Sequence, residues 1–152
     1  MTGREEGSAS DEDRCPSTDP DTPPEAITDI HDSSPFLAIP RDRWIASNNL
    51  AFTIFDRFPV TPGHMLIVPF RPVGQWWDAT RDEQVAILDL VDHARNLLLD
   101  DVERARVLPG VARPDGFNVG FNAGAAAGQT VPHLHVHVIP RFHGDVADPR
   151  GG

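Results

Sequence analysis

Between Pro132 and Pro140 the chain reads His-Leu-His-Val-His-Val-Ile, so that His133, His135 and His137 alternate with Leu134, Val136 and Val138. Strict alternation of polar and apolar residues is the pattern of a half-buried strand. Successive side chains on a strand point to opposite faces, which predicts three imidazoles on one face and an aliphatic face against a core. The two prolines bound the run, because neither can donate to a ladder.

Three uses of such a row are open on the pattern alone. One is metal binding: residues two apart on a strand lie about 6.6 Å apart, so the outer pair, about 13 Å apart, cannot share one ion whose ligands sit at about 2 Å. Only an adjacent pair could. A second use is nucleophilic catalysis, since a neutral imidazole is a competent nucleophile near neutral pH and His135 would be flanked by two further donors. The third is a solvated or pH-sensitive surface.

The longer run Gly128-Gln129-Thr130-Val131-Pro132-His133-Leu134-His135-Val136-His137-Val138-Ile139 resembles the signature of the histidine triad (HIT) family of nucleotide hydrolases and transferases. A second segment is similar to the family's other hallmark: Asp56 stands eight residues before His64 of a Pro62-Gly63-His64 turn. The resemblance spans about Pro35 to Asp148 and is nearest the fragile-histidine-triad branch. It implies an α+β HIT-like fold, with an antiparallel sheet of about five strands and one long helix. It also implies a homodimer and a nucleotide substrate.

The resemblance further assigns roles. His135 is the expected nucleophile, its inner N–H held by the carbonyl of His133. His137, His64, Gln129 and Thr130 are expected around the phosphoryl oxygens, and Asp56 on the ribose hydroxyls. Asn122, Gly128 and Val131 complete the nucleotide contacts, and the candidate walls of a base pocket are Leu37, Ile39, Ile54 and Leu66. The implied reaction is cleavage of a dinucleoside polyphosphate at the α-phosphorus through a covalent nucleotidyl-histidine. Phosphoramidase or nucleotidyl-transferase activity is the alternative within the class, and a non-catalytic nucleotide-binding or scaffolding module the alternative outside it. Some members carry a Cys-x-x-Cys that helps hold a structural zinc; here Ser34 and Leu37 stand at those places, and Arg71-Pro72-Val73 follows where a further zinc histidine is often found. No metal ligand is therefore expected and no cofactor is required, with Mg2+ entering only alongside the substrate phosphates.

Charge and composition narrow the field further. The formal charge of −10 argues against non-specific nucleic-acid binding. All thirteen basic residues are arginine, which removes any lysine nucleophile or P-loop lysine. One cysteine, Cys15, allows no internal disulfide. No run of about 18 apolar residues is present, and the start lacks a basic-then-apolar signal, so a cytoplasmic protein without a membrane anchor is expected. Residues 1–34 hold ten acidic residues against Arg4 and Arg14, hence −8 of the −10. Rich in Ser, Thr, Asp and Pro, this stretch is expected to be a disordered acidic tail ahead of a HIT domain over 35–152.

Local signals place the remaining elements. Trp44–Ala46 and Leu50–Phe55 flank Asn48-Asn49 as a hairpin, and His64–Val68 is apolar enough for burial on both faces. Thr80-Arg81-Asp82-Glu83 is a capping box opening a helix to about Leu99, with Ile87, Leu90, Val91, Ala94, Leu97 and Leu98 on one face. His93 falls on the solvated side. Phe117–Asn122 reads as a strand, and the small-residue loop Asn122–Thr130 lets backbone N–H groups approach a phosphate.

Overall fold

The computed structural model describes residues 34–150. The acidic stretch expected over residues 1–34 lies, but for Ser34, outside the described residues, as do the last two glycines. Seven regular elements follow in order: β1 (Ala46–Ser47), β2 (Ala51–Phe55), β3 (Met65–Pro69), α1 (Arg81–Leu99), α2 (Asp101–Val107), β4 (Gly116–Gly120) and β5 (Val136–Arg141). The strands form one antiparallel sheet in the order β1-β2-β3-β5-β4. The α+β architecture, with about five strands and one long helix, is the one expected.

Register sorts the sheet into two faces. Ala51, Met65, Ile67, Val136 and Val138 meet Ile87, Leu90, Ala94 and Leu98 of α1 in the larger core. Phe52, Ile54, Leu66 and Val68 point the other way and form a second cluster with Phe36. Trp44 stacks on Phe52 at 4.6 Å and Phe70 on Phe52 at 5.3 Å, so this cluster is roofed by aromatic rings from connecting segments. β3 is buried along its whole length, as a strand covered on both faces must be.

The helix begins where the capping box requires. Thr80 Oγ1 accepts from the Glu83 N–H at 3.2 Å, and Glu83 Oε2 accepts from the Thr80 N–H at 2.8 Å. The same carboxylate is gripped by Arg71, whose Nε and Nη2 donate at 2.8 and 2.7 Å. Asn48 shapes the β1–β2 turn by accepting from the Leu50 and Ala51 N–H groups, and its amide donates to the Ala86 carbonyl of α1. Trp76 stacks on Phe121 at 5.3 Å and packs on the core from outside the helix.

Two local expectations are corrected, and one element is added. The regular strand of the triad begins only at Val136, so His137 alone of the three histidines lies on it. His133 and His135 belong to the segment leading in, which is pinned by the Leu134 N–H donating to the Val73 carbonyl at 2.7 Å. Pro132 leaves that segment without a donor at its head, and the His133 ring turns inward, 1% exposed, instead of joining a solvated row. β4 stops at Gly120, leaving Phe121 and Asn122 in the loop. A second helix, α2, follows α1 after a single residue; Asp100 caps it through two N–H groups at 2.9 Å.

Candidate active site

All four histidines singled out from the sequence converge on the sheet face away from α1. Leu66 of β3 pairs with His137 of β5, which places a buried leucine beside an imidazole on that face. The His135 and His137 rings meet edge to face at 5.1 Å, and Phe36 packs against His135 at 5.1 Å and His133 at 5.8 Å.

Hydrogen bonds fix the tautomer of each ring. His135 Nδ1 lies 2.7 Å from the His133 carbonyl. A carbonyl only accepts, so Nδ1 carries the proton and Nε2 keeps its lone pair. His133 Nε2 lies 2.9 Å from the Pro69 carbonyl and must donate to it, which makes Nδ1 the acceptor for the Ser34 hydroxyl at 2.6 Å. His64 Nδ1 accepts the Val60 N–H at 3.1 Å. Its Nε2–H therefore donates to His137 Nδ1 at 3.0 Å. That leaves His137 with a proton on Nε2, a donor for an anionic oxygen.

Burial favours the neutral form of His133, His64 and His137. It lowers the His133 pKa, and it lowers that of His64 against the opposing pull of Asp56. His137 is pushed down to about 4, first by burial and then by its imidazole neighbours. Asp56 Oδ2 stands 3.5 Å from His64 Nδ1, but a neutral ring that already accepts at Nδ1 makes this a polar contact and no ion pair. Asp56 Oδ1 accepts from the Phe58 N–H at 2.8 Å and so shapes the β2–β3 turn.

A cavity of about 470 Å3 opens beside the triad. Its apolar wall is Phe36, Ile39, Ile54 and Leu66, and its polar rim includes Asp56, Thr130, His135 and His137. An apolar slot with a few convergent polar groups is the usual form of a small-molecule site.

The chain belongs to the HIT domain family. The family model for the HIT domain matches residues 40–144. The chain is 35% identical to the AP-4-A phosphorylase of Mycobacterium tuberculosis over 119 residues, covering 74% of this chain and 56% of that protein. It is 37% identical to the asymmetrical bis(5'-nucleosyl)-tetraphosphatase of Schizosaccharomyces pombe over 90 residues, 59% of this chain and 44% of that one. The chain thus spans about half the length of these curated relatives. A HIT family protein from Bacillus anthracis superposes with a TM-score of 0.62 at 27% identity, covering 75% and 77% of the two chains.

Within this HIT domain most of the residues expected at the site meet around one cavity, with differences of placement. Ile39, Ile54, Leu66, Asp56, Thr130 and Val131 line it, whereas Leu37 is 39% exposed and its neighbour Phe36 supplies the wall. His64 is 2% exposed and sits behind His137, so it orders that ring and does not itself reach the cavity. Gln129 spends its side chain on the backbone: Oε1 accepts from the Gly124 N–H and Nε2 donates to the Gly74 carbonyl. The Asn122 amide donates to the Ala127 carbonyl, cross-bracing the same loop. Gly128, with φ of +85°, closes the short 3-10 turn Ala125–Ala127 in the left-handed region where glycine is favoured.

Ser34 enters the sequence reading only in place of a zinc cysteine and Val60 has no role there, yet both fix a ring. A serine beside a buried imidazole is visible only in three dimensions, and the Val60 contact is made by backbone. Asp56, His64 and His137 offer ligand atoms within 4.8 Å of one another, a set that could hold a divalent ion. Two imidazoles and one carboxylate suit zinc better than magnesium, which prefers oxygen ligands. Ser34 and Leu37 together offer only a hydroxyl beside His133, a poor donor set for a structural zinc. No helix among the described residues is long and apolar enough to cross a membrane.

Proposed function

We propose that this HIT domain cleaves dinucleoside polyphosphates at the α-phosphorus, with His135 Nε2 as nucleophile. The observation that carries this reading is the 2.7 Å bond between His135 Nδ1 and the His133 carbonyl, which leaves the lone pair on the nitrogen free to attack. The neighbouring cavity supports a nucleotide as the electrophile, with a base against Ile39, Ile54 and Leu66 and a ribose near Asp56.

In the first step a bond forms between Nε2 and phosphorus while the bond from phosphorus to the bridging oxygen breaks, and the rest of the substrate leaves as a nucleoside polyphosphate. A polyphosphate is a good leaving group and needs no added proton. In the second step water adds to phosphorus, the P–N bond breaks, and a nucleoside monophosphate leaves as the proton passes to solvent. Splitting one displacement into two is the gain of covalent catalysis. His137 Nε2–H and the Thr130 region hold the phosphoryl oxygens as charge shifts onto them. Mg2+, where present, rides on the substrate phosphates. The working unit we propose is a cytoplasmic homodimer, a state that light scattering reads directly.

Rapid-quench mass spectrometry with diadenosine tri- and tetraphosphate tests the reaction. An added mass of one AMP on the wild type, absent from His135→Ala and followed by free AMP, is the expected result. Neither adduct nor AMP from the wild type would overturn it. The likeness to a protein named a phosphorylase favours one second reading, in which inorganic phosphate replaces water in the second step. ADP in place of AMP when phosphate is added would select it.

A further inference from the structure

A second cavity, of about 360 Å3, opens on the same sheet face beyond His137. Val119, Phe121 and Ile139 give it apolar walls, and Asn118 and Asn122 stand at its rim. It exists because the residue across the ladder from His137 is Gly120, and none of the described residues lies within 4 Å of where a Cβ on Gly120 would stand. Any other residue there would send a side chain into the space.

We propose that this second cavity receives the nucleoside of the leaving group; the assignment rests on the reading of the substrate as a dinucleoside polyphosphate. In-line displacement sends the leaving oxygen away from the attacking nitrogen. The two cavities share His137 alone, and His135 lines only the first. A phosphate chain leaving the His135 side therefore crosses His137 and arrives in the second cavity.

The lining chemistry fits a nucleoside and not a terminal phosphate. Among the described residues no arginine lines the cavity, and burial lowers the pKa of its two histidines, His64 and His137. Phe121, whose ring stacks on Trp76, adds an aromatic side chain to the lining. Asn118 Oδ1 is taken by Arg141, and the Asn122 amide nitrogen by the Ala127 carbonyl. The Asn118 amide NH2, and the carbonyl oxygen and second N–H of Asn122, are left for a base edge or sugar hydroxyl.

Gly120→Val tests the assignment, since a β-branched residue suits a strand and meets open space there. Calorimetry on the full chain would compare AMP with a methylene-bridged, non-hydrolysable diadenosine triphosphate. The wild type should bind the dinucleotide more tightly than AMP. Gly120→Val should remove at least tenfold of that advantage and leave AMP affinity within twofold. Phe121→Ala, which adds no volume, should weaken the dinucleotide alone by about fivefold, in line with the loss of one aromatic contact. No preference in the wild type, a preference untouched by either variant, or an equal loss for AMP would overturn the subsite. AMP release from diadenosine tri- and tetraphosphate by the wild type is read separately: its absence with the binding preference intact would remove the proposed reaction and leave the subsite standing.

Discussion

His64 Nε2 sits 3.0 Å from His137 Nδ1, and the other nitrogen of His64 accepts the Val60 N–H. A backbone amide thus sets, through two rings, which nitrogen of His137 presents a proton to the cavity. His64→Ala should lower kcat by about 100-fold, the scale of losing one oriented donor to developing charge. His64→Gln, which can still donate toward His137, should recover part of that loss. Steady-state kinetics on both variants checks the relay, and equal activity of the two would contradict it.

The depressed histidines give stability a pH signature. A ring at about 4 in the folded chain and about 6.5 unfolded takes up its proton more readily when unfolded. The unfolded state then binds more protons between those values, and stability falls as pH drops from about 6.5 to about 4. His64 and His133 act in the same direction. The melting temperature should decline across that window, and His137→Gln should flatten the decline.

Ser34 closes the N-terminal turn onto the first triad histidine at 2.6 Å. Ser34→Ala leaves His133 Nδ1 without its donor in a buried site, which costs about 1 kcal/mol. It should also lower kcat severalfold by loosening the peptide that holds His135. Ser34→Thr keeps the hydroxyl and should restore both quantities. A loss of stability with kcat unchanged would leave Ser34 a purely structural clasp.

Thr53 Oγ1 is buried on β2 and has no hydrogen-bond partner among the described residues. Replacing it by the near-isosteric methyl of valine removes an unmet polar group, and Thr53→Val should stabilise the domain by about 1 kcal/mol. Urea unfolding gives the sign.

Glu83 serves as both capping residue and partner of Arg71. Because the Arg71 side chain is half exposed, the ion pair itself is worth little. The lost cap and charged hydrogen bonds should still make Glu83→Ala cost about 2 kcal/mol, with kcat/KM on the proposed substrate retained.

Much of this was legible in the letters. The capping box at Thr80 and the helical face of Ile87, Leu90, Ala94 and Leu98 are local patterns, and the helix obeys them. The histidine alternation pointed to the candidate site but overstated the strand, because period two describes an extended chain whether or not a ladder has formed. α2 was missed because seven residues carry too few turns for periodicity to register; its signal was Asp100 three residues before Glu103. The exchange of Leu37 for Phe36 in the cavity wall reflects a turn over residues 35–38, where neither helical nor strand spacing says which side chain faces in. Backbone contacts such as that of Val60 leave no trace in residue identity at all.

The group that orients His135 is a peptide carbonyl, not a side chain. Every residue has that oxygen, so no single replacement at position 133 deletes it; only a change in the path of the chain can move it. Substitution of His133 should therefore separate two inheritances usually lost together, the imidazole and the acceptor. Over long divergence such a contact is stored in the course of the backbone, where drift in the sequence has the least purchase on it.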